Sequence, residues 1–301
     1  MKRIGIIGVG HVGSTVAYTL VRQQLCTELV LFDKNSELTE AERHDLMAGQ
    51  VGQHSSVKIM TLPVEQVNTC DLVIFAAGDI SILQHSTDRF AELNYTKTVV
   101  AEWAPRLRAN KFTGLILNIT NPCDVITQYL QKLTGLPHKR VFGTGTTLDT
   151  ARMQVTVSEQ LAVATDSVTG YVLGEHGNSQ FVAWSSVCIA GNGLTERFTQ
   201  TELDHFEELT SKGAWTTISG KGYTSYGIAN QAAVVVAAIT TNAHAVLPVT
   251  NYAVAEQCYL GHPAVVTREG IERDFTVPLN AAEQEKWRLS VDKIKQMTAT
   301  I

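Results

Sequence analysis

A short β-rich run, Arg3 to Ile7, leads directly into Gly8-Val9-Gly10-His11-Val12-Gly13 and then into a helical stretch, Ser14 to Gln24. Few features restrict a fold more, because the chain must leave a strand, turn tightly and begin a helix within one short motif. The first glycine permits the turn, the second lets a phosphate reach the backbone, and the third lets helix and strand pack closely. The phosphate charge then meets the positive end of the helix. Glycine-rich turns are common, so the motif needs support from elsewhere. The second strand, Glu28 to Phe32, ends in Asp33, twenty positions beyond Gly13. A carboxylate there accepts hydrogen bonds from ribose hydroxyls and repels a 2′-phosphate, which favours NAD over NADP.

Beyond Asp33, helical spacing over Ser36 to Gln50 precedes a short strand at Val57 to Met60 and a buried strand running from Asp71 into Gly78. Asp79 to Asp88 has no clear periodicity and reads as a mobile loop, with Arg89 opening the next helix. The strand Gly114 to Thr120 stops at Asn121-Pro122, leaving the asparagine amide at the carboxyl edge, where open α/β sheets bind ligands. Strands alternating with helices predict a doubly wound Rossmann parallel sheet over residues 1–142. From Gly143 the pattern changes to helix, short strand-like runs (Ser167 to Val172, Phe181 to Ile189) and helix again, which predicts an α+β second domain, 143–301. Its last stretch, Ala281 to Met297, places Trp287, Val291, Ile294 and Met297 on one helical face.

Net charge of −5 gives no basic surface for nucleic acid. The most apolar run, Ala232 to Ile239, is far shorter than the roughly 20 residues that span a bilayer. Five cysteines without C-x-x-C spacing suit buried thiols in a reducing cytoplasm rather than disulfides or zinc, and no metal site is expected.

The second half carries the chemistry. His176 lies between glycines in Gly174-Glu175-His176-Gly177-Asn178, a setting that would let a substrate approach the ring from both sides. Upstream, Asp149 and Arg152 lie three residues apart on a predicted helix. A histidine passes protons at neutral pH, a carboxylate holds and polarises it, and an arginine grips a carboxylate through two parallel hydrogen bonds.

Together with Ala76-Ala77-Gly78 and Asn121-Pro122, these motifs resemble those of the lactate/malate dehydrogenase family over nearly the whole chain. Within that family the blocks Gly143 to Thr146, Asp149 to Gln154, Gly174 to Trp184 and Gly220 to Gly227 are most similar to the L-2-hydroxyisocaproate dehydrogenases. The resemblance implies hydride transfer between NAD and a small-molecule 2-oxo or 2-hydroxy acid, in a homo-oligomer, tetramer or dimer. It implies cofactor contacts from Gly8, Gly10, His11, Val12, Gly13, Asp33, Ala77, Gly78 and Asn121. His176 would donate the proton, Asp149 would orient it, Arg152 would bind the substrate carboxylate, and Arg89 would polarise the carbonyl. Asn121 would touch the substrate, and Thr224, with Ile228, would wall the side-chain pocket.

Departures from the family narrow the substrate. Neither the glutamine that favours lactate nor the arginine that favours malate stands in the loop, where Ile80, Ser81, Ile82 and Leu83 occur instead and Gln84 comes late. Leaving a second substrate carboxylate unpaired in a dry site costs several kcal/mol, roughly, so malate is disfavoured. Ile82 and Leu83 would instead receive an aliphatic chain, with ordinary L-lactate dehydrogenase as the alternative. Gln154 and Thr169 replace an arginine and a histidine of sugar-bisphosphate-activated relatives, so no such activation is expected. A noncatalytic NAD-binding redox sensor would need none of Arg89, Asp149, Arg152 and His176.

Overall fold

The computed structural model describes residues 2–54, 56–78 and 89–301. The first strands and helices follow the predicted order: β1 (Arg3–Ile7), α1 (His11–Arg22), β2 (Glu28–Phe32), α2 (Ser36–Ala48), β3 (Lys58–Thr61), β4 (Leu72–Phe75), α3 (Arg89–Ala109), β5 (Leu115–Asn118), α4 (Cys123–Thr134) and β6 (Val141–Gly143). These six strands are parallel and lie in the order β3-β2-β1-β4-β5-β6. The order reverses between β1 and β4, and that reversal opens the crevice in which such sheets bind ligands. The doubly wound parallel fold is therefore as expected.

The strands are almost wholly apolar because both faces are covered. On one face Ile4, Ile6, Leu29, Leu31, Leu72 and Ile74 pack with Val16, Ala17 and Leu20 of α1. On the other, Ile7, Val30, Val73, Phe75 and Ile116 pack with Trp103 and Leu107 of α3 and Val125, Ile126 and Leu130 of α4.

The second half continues with α5 (Thr147–Leu161), the short strands β7 (Val168–Thr169), β8 (Val172–Leu173), β9 (Phe181–Val182), β10 (Cys188–Ile189) and β11 (Asn192–Gly193), then α6 (Gln200–Lys221) and α7 (Tyr226–Thr241). A long hairpin, β12 (Ala245–Ala253) and β13 (Cys258–Thr267), follows with β14 (Gly270–Asp274) and α8 (Ala281–Thr298). Here the structure departs from the sequence reading. The strand-like run Phe181 to Ile189 is broken by a turn of 3₁₀ helix, Trp184–Ser186, and the β12–β13 hairpin has no counterpart in the sequence pattern. Strand β12 pairs antiparallel with β6 at Thr250 and Gly143, so β12, β13 and β14 extend the first sheet to nine strands.

Helix α7 buries Ala229, Ala232, Ala233 and Val236 in the same core as α1. Small side chains at such contacts let helix axes come close. The two halves thus share one apolar core. Helix α8 is capped by a reciprocal pair, Asn280 accepting from the Glu283 amide and Glu283 from the Asn280 amide, and buries the predicted Val291, Ile294 and Met297. No helix among the described residues is long and apolar enough to cross a membrane.

Candidate active site

At the end of β1 the chain bends through Gly8, whose φ of 91° belongs to the left-handed region. A Cβ there would stand 2.6 Å from the Ala77 Cα, and one on Gly13 would stand 1.9 Å from the Gly8 carbonyl oxygen. Gly10 differs, since a Cβ would meet nothing within 4 Å. Two glycines are thus needed for packing, and the third leaves space above the backbone. Helix α1 begins there with no side-chain cap and no acidic residue in its first turn. Its first amides are therefore offered to an anion.

Gly8, Gly10, His11, Val12, Asp33, Ala77, Gly78 and Asn121 line one cleft of about 510 Å³. Of the nine cofactor contacts expected, only Gly13 lies off its wall, buried beneath the turn. Asp33 accepts from the Val9 amide at 2.9 Å and the Asn35 amide at 3.0 Å, which fixes its carboxylate at the rim. An open backbone cradle, an uncapped helix start and a fixed acid together fit a dinucleotide.

Asp149 and Arg152 share the start of α5, where a carboxylate is favoured by the helix dipole. Asp149 is 1% exposed, and its two oxygens have separate partners. Oδ2 lies 2.6 Å from His176 Nδ1, and Oδ1 accepts from Arg152 Nη1 at 3.1 Å. Burial alone would raise the Asp149 carboxyl; the charge and hydrogen bond of His176, with Arg152 and Gln180, outweigh it and hold the group below the usual range. Residues 27 positions apart in sequence are thereby brought into one hydrogen-bonded triad with Arg152.

Packing bears on the glycines that flank Glu175 and His176. A Cβ on Gly174 (φ 95°) would fall 2.4 Å from Ser290 Oγ, and one on Gly177 would fall 2.5 Å from Glu175 Oε1. At Gly174 the positive φ disfavours any side chain, and Gly177 leaves room for the buried Glu175 carboxyl. Glu175 Oε2 accepts from the amide and hydroxyl of Ser179, while Gly174 exchanges two 2.9 Å backbone hydrogen bonds with Gly261 of β13. The histidine loop is consequently anchored to the sheet.

Thr224 lies in the turn between α6 and α7. Beside it Tyr223 stacks on His11 at 4.3 Å and 5°, and in the first turn of α7 a Cβ on Gly227 would fall 2.9 Å from a Leu148 methyl. Thr224 thus directly follows a residue stacked on the glycine-rich turn. Arg89 opens α3 at the chain level, whereas its side chain and residues 79–88, Ile82 and Leu83 among them, lie outside the described residues. Among the described residues, no cluster of three His, Cys, Asp or Glu side chains is placed to hold a metal.

Three residues of the site escaped the sequence reading. Asp124, 1% exposed, accepts from the His176 amide at 2.7 Å; Thr250 donates to Asp124 at 2.5 Å; and Ser290 accepts from the Glu175 amide at 2.5 Å. Nothing local to these residues distinguishes them, because each acts across long sequence separations.

Known proteins resemble the chain along nearly its whole length. Residues 2–143 match the NAD-binding domain model of lactate/malate dehydrogenases, and residues 146–301 match the alpha/beta C-terminal domain model. The chain is 35% identical over 312 aligned positions to L-lactate dehydrogenase 3 of Bacillus cereus, covering 100% of this chain and 98% of that protein. It superposes on the ligand-bound minor L-lactate dehydrogenase of Enterococcus mundtii with a TM-score of 0.95 at 31% identity, covering 100% of this chain and 98% of that one. The ligand-unbound form gives 0.89 at 29% identity, covering 99% and 97%.

Proposed function

The chain belongs to the lactate/malate dehydrogenase family, and from that premise we propose that it reduces 2-oxo acids bearing aliphatic or bulky side chains to L-2-hydroxy acids. At the coarser level it is an NAD-dependent oxidoreductase of 2-hydroxy acids. The observation that carries the reading is the pair of contacts on Asp149, which brings a proton-transfer group and a carboxylate-binding group to one buried anion. Residues 1–142 serve the cofactor and 143–301 the substrate, in a homo-oligomer, tetramer or dimer.

Gly8, Gly10, His11, Val12, Gly13, Asp33, Ala77, Gly78 and Asn121 would hold the cofactor, which when bound supplies the hydride that reaches the oxo carbon. His176 gives its proton to the oxo oxygen, so the substrate gains the elements of one alcohol C–H and O–H. Asp149 fixes the ring with Nδ1 engaged and stabilises its protonated form. Arg152 has more N–H donors than its bond to Asp149 uses, and a planar pair of them grips the substrate carboxylate. Arg89, Asn121 and Thr224 complete the site as polariser, positioner and pocket wall.

The side-chain preference rests on the sequence of residues 79–88, where Ile82 and Leu83 stand and neither arginine nor lysine occurs to pair a second carboxylate. Each buried methylene gains about 0.8 kcal/mol. The three extra carbons of 4-methyl-2-oxopentanoate over pyruvate would then gain up to roughly 2.4 kcal/mol, or on the order of fifty-fold in kcat/KM. L-lactate dehydrogenase is the second reading, favoured by the names of the relatives above. Comparing kcat/KM for the two substrates in wild type and Leu83→Gln separates them. Preference for pyruvate, or a ratio unmoved by glutamine, favours lactate.

A further inference from the structure

Two carboxylates bear on His176. Asp149 meets the ring, and Asp124, 52 positions before it in sequence, meets the backbone. The His176 amide donates to Asp124 Oδ2 at 2.7 Å, and Thr250 Oγ1 donates to Oδ1 at 2.5 Å, so α4, β12 and the histidine loop converge on one buried carboxyl. An amide side chain would accept and donate in those two places without a titrating group in the interior, where burying a charge is costly. We propose that Asp124 is a positioning residue for the proton transfer, holding His176 by its backbone and adding a second negative charge that strengthens the ring's hold on its proton. This rests on His176 being the proton donor of the reaction proposed above.

The surroundings of Asp124 support a charge that changes within the working range. Burial is the largest influence and pushes its carboxyl up to about 7; the Thr250 hydroxyl, the His176 amide and the His176 charge act in the opposite direction, and Glu175 adds to the rise. Titratable neighbours among the described residues include Cys123 on its own helix and Cys258 on β13, both thiols pushed up to about 12 by burial and therefore neutral. Asp124 thus gains its charge in the range where a histidine loses one. With Asp124 ionised, the imidazolium persists to higher pH, which extends oxo-acid reduction toward the alkaline side.

The test is a nuclear magnetic resonance titration of histidine ring signals in the cofactor-free chain, with His176 assigned by the signal lost in His176→Gln. In Asp124→Asn the amide oxygen still accepts from His176 and its NH₂ reaches Thr250, so the backbone contact survives while the charge is removed. The expected result is a His176 midpoint lower by about half a unit or more. An unchanged or higher midpoint overturns the proposal. Thr250→Val removes a donor that favours the charged carboxylate, and should lower the midpoint by less, with Thr250→Ser restoring it. Should the asparagine variant fail to fold, that pair decides, and equal midpoints in Thr250→Val and wild type overturn the proposal. Because the titration needs no turnover, a wild type inactive toward every oxo acid would contradict the proposed function and leave the midpoints to judge Asp124.

Discussion

Asp149 Oδ2 lies 2.6 Å from His176 Nδ1, within a site where the aspartate is almost fully removed from solvent. A charge-assisted contact of that length in a buried setting does more than orient the ring, because any imidazolium formed there has its counter-charge already in place. Asp149→Asn keeps the shape and removes that charge. The expected outcome is a fall in kcat for oxo-acid reduction on the order of 10²-fold or more, with NADH affinity by fluorescence titration nearly unchanged. Unaltered turnover would remove Asp149 from the mechanism.

Arg152 is joined to the other oxygen of the same carboxylate. Arg152→Lys retains the charge and loses the planar two-bond grip, so kcat/KM for the oxo acid should drop about 10- to 100-fold, from the loss of one charged hydrogen bond. Survival of both KM and kcat would refute the bidentate role.

Asp33 is fixed at the cofactor rim by the Val9 and Asn35 amides. Asp33→Ser retains a hydrogen-bonding oxygen and removes the like charge that a 2′-phosphate would face. The ratio of kcat/KM for NADH over NADPH should fall by at least about tenfold. A constant ratio would place cofactor choice elsewhere.

Asp124 also sets a pH dependence of stability. Its carboxyl is raised from 3.8 to about 7 by burial, so between those values the folded chain binds more protons than the unfolded one, and this group's contribution to stability declines as pH rises. Asp149 is shifted the other way. Its contribution is complete above 3.8 and is lost only as pH falls through its lower folded value, outside that window. Urea unfolding of wild type and Asp124→Asn from pH 4.5 to 7.5 should show a shallower decline in the variant, and parallel curves would contradict the assignment.

Much of this architecture is legible in the residues because it is local. Strands β1 and β2 end where expected, since an apolar run meets a glycine in one case and an acid in the other. Asp149 and Arg152 are close in sequence on one helical turn, whereas His176 joins them only through the fold, 27 positions on, and its pairing with them is suggested in the sequence by the family resemblance alone. Strand β13 was missed although all ten of its residues are buried. Covered on both faces it shows no alternation, and Gly261, His262 and Pro263 interrupt its apolar run. Asp124 was missed for another reason. Its place becomes visible only when α4, the histidine loop and β12 are folded together, with Thr250 lying 126 positions away.

The most direct measurement is the pH dependence of kcat/KM for NADH oxidation with 4-methyl-2-oxopentanoate, in wild type and in His176→Gln. If a protonated His176 held by Asp149 delivers the proton, wild-type activity falls about tenfold per pH unit on the alkaline side, as one ionisation requires, and His176→Gln loses the activity while still binding NADH. A flat wild-type profile, or activity retained in His176→Gln, would contradict it.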